Sequence, residues 1–173
     1  MAKIEPISIE KTTPEIKKVL SELHEYYGNI PMMYRVIVRK PQIAKALLQL
    51  KKSIMESGRL DTITKEKMAV IVSTANKCQP CVEAHINNLK KLNVAQAEIE
   101  SLKKFDFSKY EEEENVLFEF TLKASLNPPE VTSELFENLK NIYNPTEIVE
   151  IVNVIALYKY LNTINIILEL PLY

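Results

Sequence analysis

The sequence predicts an all-α fold, and three observations carry that expectation. Only 2 of the 173 residues are glycine, which leaves little material for the tight turns that join antiparallel strands. Apolar residues recur at helical spacing rather than in the alternation of a half-buried strand. Proline, Asn, Asp and hydroxyl residues fall where such helices would start and stop.

The first helix opens at Thr13-Pro14-Glu15, a hydroxyl cap followed by proline in the first turn, where its missing N–H costs nothing. Ile16, Val19, Leu20 and Leu23 form its apolar stripe, and Gly28 supplies a stop. Pro31 and Pro41 bracket a short helical segment, Met32 to Lys40. A longer helix then carries Ile43, Ala44, Leu47, Leu48, Lys51, Ile54 and Met55 and ends near Gly58. Thr64 is the expected cap of the next, with Glu66 in its first turn and Met68, Ile71, Val72 and Ala75 turned inward. Pro80 restarts the chain into a helix that ends near Leu92, and Asn93, tolerant of left-handed dihedrals, terminates it. A short helix spans Ala95 to Lys104.

Ser108 to Glu111 has the form of a capping box before Val116, Leu117, Phe120 and Ala124. Asn127-Pro128-Pro129 stops that helix. Thr132 starts another through Leu135, Phe136 and Leu139. Asn144 to Glu147 is a second capping box, opening a long helix, apolar on more than one face, that suits a central position or a subunit interface.

With 46% hydrophobic residues and a net charge of −1, the chain reads as one domain over residues 1–173, its core about 13–168. Dispersed charge offers no basic stripe, so nucleic acid is not an expected partner. The amino terminus lacks a signal-peptide pattern, and no uninterrupted apolar run reaches about 18 residues. A cytoplasmic protein, free of the membrane, is expected.

Both cysteines of the chain lie in Cys78-Gln79-Pro80-Cys81. A disulfide closing so short a loop adds little to stability, so chemistry or metal is the better reading. Cys78, Cys81 and His85 share one face if the helix starts at or just after Cys78. A helix amino terminus, a CxxC pairing and a neighbouring imidazolium all lower a thiol pKa from about 8.5. The competing readings are an inert pair or a zinc site, but closed zinc sites want four ligands and this cluster offers three. A c-type haem is excluded because Val82, not histidine, follows Cys81. A thioredoxin-like domain fails for want of a βαβ pattern.

Glu66, eleven intervening residues, Cys78-x-x-Cys81, three more and then His85 resembles the signature of alkylhydroperoxidase D-like proteins in the carboxymuconolactone decarboxylase superfamily. Supporting similarity runs through Gly28 to Pro31, Tyr34-Arg35, Ser73, and the segments 131–139 and 147–155. The resemblance implies an all-helical fold of antiparallel hairpins, a homo-oligomer, and a thiol-dependent peroxidase with neither cofactor nor metal. It implies that Cys81 attacks the peroxide and becomes a sulfenic acid, that Cys78 resolves it to a disulfide, and that Glu66 relays protons through His85. His85 lies one turn from Cys81 and two from Cys78, which favours the same attacker. An external dithiol, a lipoylated or thioredoxin-like protein, would re-reduce the pair.

The chain departs from its relatives at Pro80, where they often carry an aromatic residue or histidine. The decarboxylases of the superfamily typically lack the cysteine pair, which argues against that activity. Three functions are thus distinguished: a peroxidase, a redox-responsive or zinc-binding interaction protein, and a superfamily decarboxylase. His24 reads as a surface histidine, Glu111 to Glu114 as a solvated first turn, and Tyr158 and Tyr160 as packing or interface residues.

Overall fold

A computed structural model of the chain describes residues 2–8, 12–56 and 58–172. Among these are nine α-helices, one 3-10 turn at Pro128–Glu130 and no strand. They form two compact units, one of the described residues through Ser53 with those from Thr163 onward, the other of Ile54–Asn162.

The first unit holds α1 (Pro14–Tyr27), α2 (Met32–Ile37) and most of α3 (Pro41–Met55). The Thr13 hydroxyl caps α1 by accepting the Ile16 N–H at 3.3 Å, and Gly28 ends the helix with φ 70°. Val19, Leu20 and Leu23 are buried with Ala44, Leu47 and Leu48, while Ile43 faces solvent. The Tyr27 and Tyr34 hydroxyls lie 2.9 Å apart.

The second unit is built around α4 (Thr62–Ala75), which packs against α5 (Gln79–Lys91), α6 (Gln96–Lys103) and α7 (Glu112–Leu126). After these come α8 (Ser133–Ile142) and most of α9 (Pro145–Leu168). Every residue of α4 from Lys65 to Ser73 is buried, so this stretch of the helix has no solvated face. Three of those residues, Lys65, Glu66 and Lys67, are charged. A buried charge needs partners, and each finds them. Lys65 donates to the carbonyls of Ile54 at 2.8 Å and Glu56 at 2.5 Å, and pairs with Glu150 at 2.5 Å. Lys67 bridges Glu98 at 2.7 Å and Glu114 at 2.8 Å.

Two capping expectations are corrected. Asp61, not Thr64, caps α4, because its carboxylate already accepts the Thr64 N–H at 2.7 Å. Glu66 consequently falls in the second turn. Ser108 forms no capping box either; its hydroxyl donates to Asp106 at 2.6 Å, and Glu111 precedes α7 without a side-chain cap. The Asn144 box is complete. The Asn144 N–H donates to Glu147 at 2.8 Å, and the Glu147 N–H to the Asn144 side chain at 3.1 Å.

Scarcity of glycine shows at the helix ends. Lys77, Asn93, Phe105 and Glu169 follow α4, α5, α6 and α9 with φ of 57°, 61°, 56° and 52°. At each, the left-handed residue's N–H bonds back three residues and the next N–H bonds back five, as with Lys77 to Thr74 and Cys78 to Ser73, both 3.0 Å. Glycine is the usual occupant because a Cβ strains this conformation. Since Lys77 is exposed, Lys77→Gly should stabilise the protein by about 1 kcal/mol, seen as a higher urea midpoint. An unchanged or lower midpoint would contradict that account.

Alkaline pH should destabilise the second unit. Burial opposes the Lys67 charge, but hydrogen bonds and attraction from Glu114 and Glu98 outweigh it and raise its pKa above the usual 10.5. Burial, then Glu98, raises Tyr110 well above 10.0; burial, then Glu113, does the same for Tyr143. The folded state thus keeps these protons to higher pH than the unfolded chain. Their contribution is complete below about pH 10 and is lost as pH rises through the folded-state values. Urea midpoints should fall as pH is raised from about 10 to about 12, and fall less for a Tyr110→Phe, Tyr143→Phe variant.

By length and composition α9 could cross a membrane, with a mean hydropathy of 1.5 over its most apolar window. Ile151, Val154, Ile155, Leu157, Tyr158 and Leu161 are nevertheless buried within the fold, as in a core helix.

Candidate active site

The path from α4 to α5 positions the cysteines. With Lys77 left-handed, the chain reverses within Asn76 to Cys78, and Cys78 becomes the residue preceding the first turn of α5. Pro80 occupies that first turn, where no N–H is needed. Cys81 completes the turn at the positive end of the helix dipole, a setting that favours a thiolate. The two sulfurs are joined in a disulfide, with the Cα atoms 5.3 Å apart. Cys78 is 1% and Cys81 6% exposed.

His85 lies one turn beyond Cys81 and is also buried. Its Nδ1 is 2.8 Å from Glu66 Oε2, so the buried carboxylate on α4 meets the ring across the helix pair. The Asn88 amide donates to the same oxygen at 3.2 Å. Tyr158 of α9 sets its ring edge-on to His85, centroids 4.5 Å apart and planes at 82°, and its hydroxyl contacts Met55 Sδ at 3.2 Å.

Glu66 and His85 are thus in direct contact, and Cys78, Cys81 and His85 follow one stripe of α5 at intervals of three and four residues. Asn88 and Tyr158 were not among the expected site residues. Asn88 continues the stripe three residues after His85, a signal the sequence carries. Tyr158 comes from a helix remote in sequence, and its packing against the imidazole leaves no local pattern. Among the described residues no group of three or more His, Cys, Asp or Glu could hold a metal ion.

The arrangement can support thiol redox chemistry. The cysteines can cycle between dithiol and disulfide, and a histidine oriented by a carboxylate can accept and return a proton. With Nδ1 turned to Glu66, Nε2 is the ring nitrogen left to serve a thiol or substrate.

Residues 41–103 match the model of the carboxymuconolactone decarboxylase family, a span that contains every one of the four expected site residues. No curated protein matches the sequence. Several solved structures share the fold. The uncharacterized peroxidase-related protein from Silicibacter sp. TM1040 aligns with a TM-score of 0.86 at 20% identity, over 99% of this chain and 92% of its own. A peroxidase-related protein from Ralstonia eutropha JMP134, described as an alkylhydroperoxidase AhpD core, gives 0.83 at 18% identity over 99% and 92%. The debrominase Bmp8, as a cysteine-to-alanine variant in complex with 2,3,4-tribromopyrrole, gives 0.85 at 22% identity over 98% and 91%.

Proposed function

We propose that this chain, which belongs to the carboxymuconolactone decarboxylase superfamily and is AhpD-like in fold, is a thiol-dependent peroxidase acting on hydrogen peroxide or organic hydroperoxides. The observation that carries the reading is the linked Cys78 and Cys81 at the start of α5, on the same stripe as a His85 held by Glu66. In the reduced enzyme His85 takes the Cys81 proton. The thiolate attacks the peroxide, the O–O bond breaks, and Cys81 becomes a sulfenic acid while the alcohol or water leaves with a proton returned from His85. The Cys78 thiol then displaces water from the sulfenic acid and forms the disulfide. An external dithiol closes the cycle by exchange, itself oxidised to a disulfide. A lipoylated or thioredoxin-like protein has that chemistry. A cytoplasmic homo-oligomer would suit the reducing supply and the exposed Val149, Val152 and Tyr160 of α9.

Stopped-flow measurement of thiol oxidation by hydrogen peroxide and by organic hydroperoxides tests the reading. Rates well above that of an ordinary free thiol, dependent on Cys81, are expected. A rate no faster than a free thiol's would demote the reaction to incidental reactivity.

The likeness to a debrominase favours one second reading, reductive dehalogenation of a small aromatic. The same dithiol could supply the two electrons, yielding the dehalogenated ring, halide and the disulfide. Release of bromide from a bromopyrrole by the reduced protein, together with slow peroxide consumption, would select it.

A further inference from the structure

The geometry points to Asn88 as a positioning residue that fixes the tautomer of His85 by holding Glu66 in place. This inference deepens the reading of His85 and Glu66 as a proton relay and rests on it. Glu66 Oε2 receives two groups from one face of α5: the His85 ring at 2.8 Å and the Asn88 amide at 3.2 Å. A neutral imidazole has one N–H to give. While Oε2 is held toward Nδ1, that proton stays on Nδ1 and Nε2 is kept as the acceptor a thiol needs. Tyr158 restrains the ring from its side at 4.5 Å, but an edge contact does not select between tautomers. The amide does so indirectly, because it restricts the carboxylate from turning away from the ring. A carboxylate hydrogen bond is among the stronger polar contacts in a protein interior. Second partners of this kind commonly orient a histidine whose other nitrogen does chemistry.

Asn88 is only half-buried, so its replacement leaves the core untouched. The test uses ring-nitrogen NMR of the reduced, isotopically labelled protein. The chain has 2 histidines, and a His24→Gln variant assigns the second set of signals to His85. Wild type should show a single tautomer protonated at Nδ1. Asn88→Leu, close in shape but unable to donate, should show a mixture of tautomers and alkylation of Cys81 by iodoacetamide slowed roughly tenfold. Asn88→Gln should recover part of both. If Asn88→Leu folds poorly, Asn88→Ala is read in the same way. A folded variant in which either the tautomer or the alkylation rate remains that of wild type overturns the proposal. Peroxide takes no part in these measurements. A protein that passes them and yet fails to turn over peroxides would refute the peroxidase reading alone.

Discussion

Cys81→Ser should remove thiol-dependent peroxide turnover, with a fall of at least about a thousandfold, because a serine hydroxyl stays protonated where a cysteine is a thiolate and is a poor nucleophile toward the O–O bond. The substitution is nearly isosteric, so the fold should survive. Cys78→Ser should behave differently. The first oxidation of Cys81 would still occur, but no neighbouring thiol could resolve the sulfenic acid, which would accumulate and progress to sulfinic acid under excess peroxide. Mass spectrometry of each variant after one equivalent of peroxide separates the two roles. Full turnover by Cys81→Ser would sink the assignment of the attacker, and a stable sulfenic acid on Cys78 would reverse it.

Glu150→Ala should be the most damaging single change remote from the cysteines. It strips the ion-pair partner from Lys65, which is 0% exposed and would keep only the carbonyls of Ile54 and Glu56. Removing one member of a buried pair typically costs about 3–5 kcal/mol. Because Glu150 retains some solvent contact, the lower end of that range is expected, read as a marked drop in the urea midpoint. The double variant Lys65→Met, Glu150→Leu should recover much of the loss, since no charge is then stranded. A Glu150→Ala protein within about 1 kcal/mol of wild type would show that Lys65 does not depend on the pair. Gly58 adds a second probe: a Cβ there would lie 2.9 Å from both carboxylate oxygens of Glu150, so Gly58→Ala should disturb the same pair.

What could be read from sequence divides along a physical line. Thr13, Thr132 and the Asn144 box were legible because each cap is satisfied within three residues of itself. The CxxC-to-histidine stripe was legible for the same reason, being a matter of spacing on one helix. The Thr64 and Ser108 expectations failed beside an aspartate: Asp61 starts α4 three residues earlier by accepting the Thr64 N–H, and Asp106 takes the Ser108 hydroxyl as a donor. The inward face of α4 at Met68, Ile71 and Val72 was legible, but the burial of its charged turn was not. Lys65, Glu66 and Lys67 in succession look like a solvated turn, yet their partners Glu150, His85, Glu98 and Glu114 arrive from four other helices. Left-handed Lys77 was hidden too, since nothing local marks a lysine for a conformation that glycine usually takes.

The near-complete enclosure of Cys78 and Cys81 carries a kinetic consequence. A dithiol must bring its sulfur into line with the disulfide, and residues so little exposed grant that approach only in brief excursions of the surrounding chain. Re-reduction in the proposed cycle would then proceed at the intrinsic exchange rate multiplied by the fraction of time the site stands open. Every kcal/mol of added local rigidity slows it about fivefold. In the proposed cycle, re-reduction would be tied to breathing of the α4 to α5 junction, and its temperature dependence should track amide hydrogen exchange there.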